Sequence, residues 1–297
     1  MDAIHNWPLS VFVALLWSLT PVLVLGFASE WIVRAVEHLP VPLRLLLPCC
    51  CGVPYVLVAV SVGEFQWQWC ALYFELPVLI ALVLWSARLR DPQQRGLWLD
   101  AFVLVVLGLA VDLRWFEAAW PHSLTFVGKM VLVDCGLYGF VVIRQLSDTG
   151  YDLRIRLRDL LIGLREAALF APIAIGLGLA LGFLQWHARV PRLGEIGFAW
   201  AFTFLFIAIP EELYFRGWIQ NLLARRMGRL PSLLLTAAIF GLSHFNKRTT
   251  FFNWRYVLLA ALAGIFYGRA WRQERRVAAS TITHATTDAI WSIWFRH

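Results

Sequence analysis

Ten apolar stretches, each close to the length of a membrane-spanning helix, dominate this sequence of 297 residues. A helix that crosses a bilayer needs about 20 mostly apolar residues. Short polar stretches, such as residues 88–95, separate one apolar stretch from the next. We therefore predict an all-α fold, a polytopic transmembrane helix bundle of about 8–10 spans. The candidate spans are residues 9–28, 43–62, 69–86, 97–113, 123–143, 167–186, 196–226, 229–246, 255–271 and 278–295.

The composition supports a membrane location and argues against a nucleic-acid partner. Apolar residues make up 60% of the chain and charged residues 15%, whereas soluble domains are nearer half apolar and a quarter charged. The net charge of +7 comes mainly from arginines in short loops between spans, a pattern typical of cytoplasmic loops that face anionic lipid. We expect the lipid bilayer as a partner. The arginine-rich, lysine-poor composition favours a bacterial inner (cell) membrane.

Residues 151–166 (YDLRIRLRDLLIGLRE) suggest a boundary between two regions. Leucines recur there at helical spacing and arginines occupy other positions on the wheel. This pattern predicts a basic amphipathic helix that lies in the membrane interface, although a solvated connector helix has the same pattern. We expect an N-terminal membrane region of about five spans over residues 1–145. Residues 146–297 then carry the chemistry.

The first polar cluster inside the apolar spans is Pro210-Glu211-Glu212-Leu213-Tyr214-Phe215-Arg216. Charges inside hydrocarbon are costly, so they tend to be functional. Glu212 and Arg216 are four residues apart and can pair on one helix face. Glu211 points about 100° away from Glu212, so its carboxylate can face a pocket. The alternative is an interfacial helix start that two acids stabilise.

Two further clusters hold histidines, Phe240–His244 (FGLSH) and His284–Asp288 (HATTD). His284 and Asp288 are four residues apart and share a helix face. A single histidine in a helix is more often a hydrogen-bonded core residue, but two in neighbouring spans favour a site. Glu211 precedes the turn at Gly228 by 17 residues and His244 follows it by 16. Both therefore lie about 25 Å from that turn, at one height in the membrane.

These residues resemble the three motifs of a known family. EExxxR at Glu211–Arg216, FxxxH at Phe240–His244 and HxxxN/D at His284–Asp288 are similar to those of the CAAX-protease and bacteriocin-processing (CPBP) family, which includes the Rce1-type prenyl proteases. The resemblance covers about residues 155–295. It implies that residues 146–297 form an intramembrane protease core, which hydrolyses a peptide bond of a membrane protein or membrane-associated peptide.

The resemblance and the residue chemistry together predict the first part of a mechanism. Desolvation suits a carboxylate to act as a general base, so we expect Glu211 to activate a water. His244 is expected to hold and polarise that water. Glu212 and Arg216 are expected to form a supporting pair that fixes the helix.

The last cluster is expected to stabilise the charge that develops during hydrolysis. His284 can donate a hydrogen bond to the oxyanion, and Asp288 can orient His284. Asp288 stands where the eukaryotic prenyl proteases have asparagine, so a simple amide donor is in doubt at that position. A metal-free glutamate mechanism without a cofactor is favoured, because HExxH is absent. Zinc held by Glu211, His244 and His284 remains the alternative.

Two other classes of function fit a membrane bundle with buried polar residues. A transporter can use buried acids and histidines to relay protons or bind substrate, but no inverted repeat is evident. A non-catalytic sorting or immunity scaffold can keep the same fold. The substrate also stays open between a CAAX-type C-terminus, a leader peptide and a sorting-signal tail.

Overall fold

The computed structural model describes residues 7–188, 190–249 and 251–295, and every regular element in these ranges is helical. The all-α prediction is therefore confirmed. The chain divides into two compact units, Met1–Ser147 and Asp148–His297.

Six helical segments are long and apolar enough to cross a membrane: Leu9–Glu37, Val41–Ser61, Trp67–Arg90, His122–Ile143, Leu157–Ala180 and Leu193–Met227. They confirm the polytopic transmembrane prediction. The other four predicted spans also form helices, but two of them are short, with 15 and 14 residues. The last two are richer in polar residues. Crossing of the membrane by these four helices stays a prediction.

The first unit consists of helices joined by short turns. The segment Val41–Ser61 is divided into three successive pieces, each with a proline in its first turn. Proline is tolerated there because the first amides of a helix have no acceptor within the helix. The elements are α1 (Leu9–Glu37), α2 (Val41–Leu46), a 3-10 turn (Leu47–Gly52), α3 (Val53–Ser61), α4 (Trp67–Arg90), α5 (Trp98–Asp112) and α6 (Thr125–Leu137), which continues as a π-helical stretch (Tyr138–Ile143).

A buried arginine ties together three elements of the first unit. Arg144, whose side chain is fully buried, lies 2.8 Å from Asp100 and 2.7 Å from Asp91. Asp100 also accepts a hydrogen bond from the amide of Leu97 at the start of α5. The cation therefore joins the end of the α6 segment to the residue after α4 and to the first turn of α5.

The first helix of the second unit was predicted as two separate elements, an amphipathic helix over residues 151–166 and a span over residues 167–186. The helix α7 runs without interruption over Leu157–Ala180, so residues 151–166 do not form a separate amphipathic helix. Leu157, Leu161 and Leu164 are exposed, whereas Asp159 and Glu166 are buried. The apolar stripe faces outward because the surroundings of a membrane helix are lipid, and the polar side chains find partners inside the unit.

The remaining elements of the second unit form one long helix and three further helices. The long helix comprises α8 (Leu193–Thr203), a π-helical stretch (Phe204–Ala208), α9 (Ile209–Glu212), a second π-helical stretch (Leu213–Gln220) and α10 (Asn221–Met227). After a turn at Gly228, where φ is +81°, follow α11 (Arg229–Leu242), α12 (Trp254–Glu274) and α13 (Val277–Trp294). The positive φ favours glycine, because side chains disfavour this region of backbone space.

Buried charge also fixes the start of α13. Arg276, the residue before this helix, lies 2.8 Å from Asp159 in the first turn of α7 and 2.8 Å from Asp152 in the preceding loop. It also donates to the backbone carbonyls of Asp152 and Arg154. These bonds hold the beginnings of α7 and α13 together.

Glycines bring α11 and α12 into close contact. A Cβ atom at Gly241 would lie 2.6 Å from the carbonyl oxygen of Val257, and one at Gly264 would lie 2.9 Å from Cα of Ala237. Small residues allow membrane helices to approach this closely. The close approach positions the α12 backbone beside the polar residues of the long helix.

Candidate active site

The helix that carries the first polar cluster departs from regular α-helical geometry. Pro210 lies in the short α9 segment between two π-helical stretches. Proline has no amide to donate to the preceding turn, and π-helical turns occur often at functional sites. The helix continues through Pro210. Glu211 and Glu212 are consecutive residues of α9, so their side chains point about 100° apart.

Glu212 and Arg216 form the predicted pair, and both side chains are fully buried. Their atoms Oε1 and Nη1 are 2.9 Å apart. Nη2 of Arg216 donates to the backbone carbonyl of Gly264 at 3.1 Å. The ring of Phe240 packs under the guanidinium, with its centroid 4.7 Å from Cζ. Arg216 is therefore held on three sides.

His284 lies among three carboxylates. Its Nδ1 is 2.8 Å from Oε1 of Glu212. Its Nε2 is 3.4 Å from Asp288 and 3.9 Å from Oε2 of Glu211. A carboxylate only accepts hydrogen bonds, so Nδ1 carries a proton that it donates to Glu212. The partner that orients the ring through a short hydrogen bond is thus Glu212, at 2.8 Å, whereas Asp288, the predicted partner, is 3.4 Å away.

Glu211 differs from Glu212 in exposure and in bonding. The side chain of Glu211 is 27% exposed, whereas that of Glu212 is fully buried. The Oε2 atoms of Glu211 and Glu212 are both buried and accept no hydrogen bond from the described residues, but Glu212 is already engaged through Oε1 with Arg216 and His284. A buried oxygen without a partner is a position where an ordered water gains hydrogen bonds. Of the two adjacent acids, Glu211 is the one that can meet a reactant.

The sequence pattern predicted that His244 lies within an apolar helix. The structure instead places it just beyond the end of α11. The helix ends at Leu242, and the amide of His244 bonds to the carbonyl of Gly241 in a tight turn. Nδ1 of His244 lies 2.9 Å from the carbonyl oxygen of Phe240. Nδ1 must donate this bond, so in a neutral ring Nε2 keeps a free electron pair.

Aromatic rings connect the two histidines. The ring centroid of Phe240 lies 5.0 Å from that of His244 and 5.9 Å from that of His284. Tyr267 of α12 stacks on His284 at 4.6 Å with an interplanar angle of 18°. Neither Tyr267 nor the carbonyl of Gly264 was predicted from the sequence. A signal for them was Gly264 and Gly268, four residues apart, a spacing typical of a helix face in close contact with another helix.

The described side chains show no grouped set of metal ligands. In the ranges 7–188, 190–249 and 251–295, no group of three or more His, Cys, Asp or Glu residues could hold a metal ion. Nδ1 of His244 and Nδ1 of His284 are both engaged with protein acceptors. This engagement leaves Nε2 of each ring, and metal-bound histidines commonly have the same arrangement. The zinc set of Glu211, His244 and His284 therefore stays a prediction.

The fold and this cluster define a class, that of polytopic helical membrane proteins with a buried site of acids and imidazoles. Residues 194–290 match the family model described as Rce1-like, type II CAAX prenyl endopeptidase. The match lies within the second unit and contains all three motifs. It confirms that residues 194–290 resemble the CPBP family, which includes the Rce1-like proteases. The family is one of membrane-embedded proteases, and the chain is an integral membrane protein. No curated protein and no solved structure matches the chain.

Proposed function

We propose that the chain is an intramembrane endopeptidase that hydrolyses a peptide bond with a water activated by Glu211. The observation that carries this proposal is the position of Oε2 of Glu211. This atom is buried, accepts no hydrogen bond from the described residues and lies 3.9 Å from Nε2 of His284. An acid that is held beside an imidazole, with only part of its side chain exposed, is suited to general-base catalysis.

The proposed reaction begins with a water bound at Glu211. The carboxylate removes a proton from the water, and the water oxygen forms a bond to the carbonyl carbon of the substrate. The carbonyl oxygen becomes an oxyanion. When the tetrahedral intermediate collapses, the C–N bond breaks and Glu211 returns the proton to the leaving amine. Nδ1 of His244 donates to the carbonyl of Phe240, so Nε2 is left as an acceptor. We propose that Nε2 accepts a hydrogen bond from the second hydrogen of the water, which stays on the water oxygen.

His284 is proposed to stabilise the oxyanion. With a proton on each ring nitrogen, it donates to Glu212 through Nδ1. Nε2–H faces the carboxylates of Asp288 and Glu211 in the resting state, and we propose that it donates to the oxyanion once the oxyanion forms. Asp288, whose carboxylate is 3.4 Å from Nε2, favours the protonated ring in the resting state. Removal of one oxyanion donor typically slows catalysis about 100- to 1000-fold. Glu212 and Arg216 act through His284 and are positioning residues.

The substrate we propose is a membrane protein or membrane-associated peptide that presents a scissile bond at the bilayer. The protease family and the apolar helices support this substrate class. The location we propose is a bacterial inner membrane, which the arginine-rich, lysine-poor composition supports. The substrate that accumulates uncut in cells with an inactive variant would identify the cleavage site.

The test of this function is Glu211→Gln, which replaces one oxygen and keeps the side-chain shape. We expect peptide cleavage to fall by at least about 100-fold, with membrane insertion and thermal unfolding unchanged. The matched control is Glu75→Gln, which alters an exposed acid of α4 and should cleave normally. Cleavage that persists in Glu211→Gln would overturn the mechanism.

Metal analysis of the purified protein completes this test. The proposed mechanism predicts that activity does not depend on the zinc content and survives a chelator. Loss of cleavage on chelation, with recovery on added zinc, would contradict the metal-free mechanism and leave the protease assignment intact. Substrate transport by Glu211→Gln without cleavage would favour a transporter instead.

A further inference from the structure

A second cluster of buried charge lies in the second unit, away from the candidate active site. Glu166 of α7 has a fully buried carboxylate, 2.7 Å from Nη2 of Arg165 and 3.2 Å from Nε of Arg269. Gln273 donates to the same carboxylate at 3.2 Å. The proposed reaction does not use these residues. A buried carboxylate with two arginines and an amide around it therefore requires another explanation.

The two arginines are only partly used by Glu166. Their side chains are 53% and 44% exposed, and each meets the carboxylate through one nitrogen. A guanidinium has five N–H donors in a rigid fork, so most of the donors remain available. Two cations and one anion leave a local charge of +1. The buried acid thus holds two guanidiniums in place at the surface, ready for a second anion.

The surface around the arginines is apolar. Leu161, Leu164 and Leu169 of α7 are 61%, 51% and 47% exposed. Arg165 lies eight residues after the start of α7, about 12 Å along the helix, and Arg269 lies five residues before the end of α12, about 8 Å along it. This depth suits the boundary between headgroups and acyl chains. An anion that binds there has an apolar surface directly beside it.

We propose that Arg165 and Arg269 form a binding site for the phosphate of an anionic phospholipid, whose acyl chain lies against the exposed leucines of α7. Guanidiniums bind phosphate through paired N–H donors, and a lipid is the molecule that carries a phosphate and an apolar chain at this depth. The local charge of +1 selects an anionic over a zwitterionic headgroup. Exposed Arg154 and Arg156 in the loop before α7 strengthen the same preference.

The experiment compares the full-length protein in neutral detergent micelles with added phosphatidylglycerol, phosphatidylcholine or glycerol phosphate. Native mass spectrometry counts bound lipid, and thermal unfolding reports stabilisation by the bound ligand. We expect phosphatidylglycerol to bind and to raise the unfolding midpoint more than the other two. Equal effects of phosphatidylglycerol and phosphatidylcholine would overturn the proposal. Equal binding of glycerol phosphate would show a phosphate site that does not use the leucines, and would also overturn it.

The test variant is Arg165→Gln/Glu166→Gln/Arg269→Gln, which removes the buried acid together with its partners so that no buried charge stays unpaired. We expect phosphatidylglycerol to bind roughly tenfold more weakly. The matched control is Arg229→Gln, an exposed arginine at the start of α11. It changes the net charge by the same amount and should bind as the wild type does. An equal loss in this control would indicate attraction to total charge and contradict a built site.

A second variant keeps the test decisive if the triple variant does not fold. Arg165→Lys/Arg269→Lys retains the two charges and the ion pairs but loses the planar forks. We expect it to fold and to bind phosphatidylglycerol several-fold more weakly. Unchanged binding in this variant would overturn the proposed guanidinium site. Peptide cleavage is not the readout, so the result is independent of the proposed protease function.

Discussion

Glu212 and His284 are joined by a hydrogen bond of 2.8 Å between Oε1 and Nδ1, across 72 residues of sequence. The same oxygen lies 2.9 Å from Nη1 of Arg216. One carboxylate atom therefore links the long helix to α13 and balances a buried cation. The second acid of the motif is thus an organising residue, and the first acid is left to react.

Glu212→Gln should destabilise the protein as well as inactivate it. The change leaves the guanidinium of Arg216 buried without its counter-ion, and breaking a buried pair typically costs about 3–5 kcal/mol. Thermal unfolding in detergent measures this loss, and Glu211→Gln, whose acid is partly exposed, provides the comparison. An unfolding midpoint equal in the two variants would contradict the role of Glu212.

The paired variant Glu212→Gln/Arg216→Met separates stability from activity. Replacing both partners removes the unpaired charge, so much of the lost stability should return. Activity should not return, because Nδ1 of His284 still lacks its carboxylate. Recovery of cleavage in the double variant would show that Glu212 serves only to neutralise Arg216.

Tyr267→Leu should reduce the turnover number without a comparable change in KM. The tyrosine ring stacks on His284, and an aromatic pair of this kind is worth about 0.5–1.5 kcal/mol, equivalent to roughly 2- to 13-fold in rate. Tyr267→Phe keeps the ring and should retain nearly full turnover. Steady-state kinetics of the two variants tests this. Equal turnover in both would show that the stacking does not position His284.

The motifs identified most of the candidate cluster from sequence because spacing alone determines which side chains share a helix face. The i,i+4 rule predicted the Glu212–Arg216 pair, which the structure contains. Spacing does not reveal which helices pack together, so the bond from Glu212 to His284 and the ring of Tyr267 were not predicted. Leucine periodicity in α7 was misread for a similar reason. An outward apolar stripe on a membrane helix looks like the inward stripe of a soluble one until its surroundings are known.

Gly241→Ala should destabilise the contact between α11 and α12. The added Cβ would lie 2.6 Å from the carbonyl oxygen of Val257 and 2.7 Å from Cβ of Ala261, so the helices must separate. Overpacking of this kind typically costs about 1–3 kcal/mol. Gly197→Ala in α8 is the control, since a Cβ there meets no atom within 4 Å. Thermal unfolding should distinguish the two variants, and similar midpoints would contradict close packing at Gly241.

Lowering the pH should weaken the ion pair between Asp152, in the loop before α7, and Arg276, because it protonates the carboxylate. Burial alone raises the pKa of Asp152, but hydrogen bonds from the Arg276 side chain and the Arg154 amide outweigh it and hold the pKa below its ordinary value of 3.8. A carboxyl whose pKa is lowered by folding stabilises the folded state fully above the unfolded pKa of about 3.9. That contribution is lost as pH falls through the lower folded pKa.

Asp152→Asn should therefore lower the unfolding midpoint at pH 6 and make it less sensitive to pH between about 5 and 3. Asp148→Asn is the control, because its carboxylate is 58% exposed and its ion pairs with Arg225 and Arg275 are 3.7 Å and 3.4 Å long. Exposed pairs of that kind contribute little, so this variant should follow the wild type. If the unfolding midpoints of the wild type and Asp152→Asn fell in parallel as the pH is lowered, protonation of Asp152 would have no effect on stability. The bond from Asp152 to Arg276 would then not stabilise the start of α13.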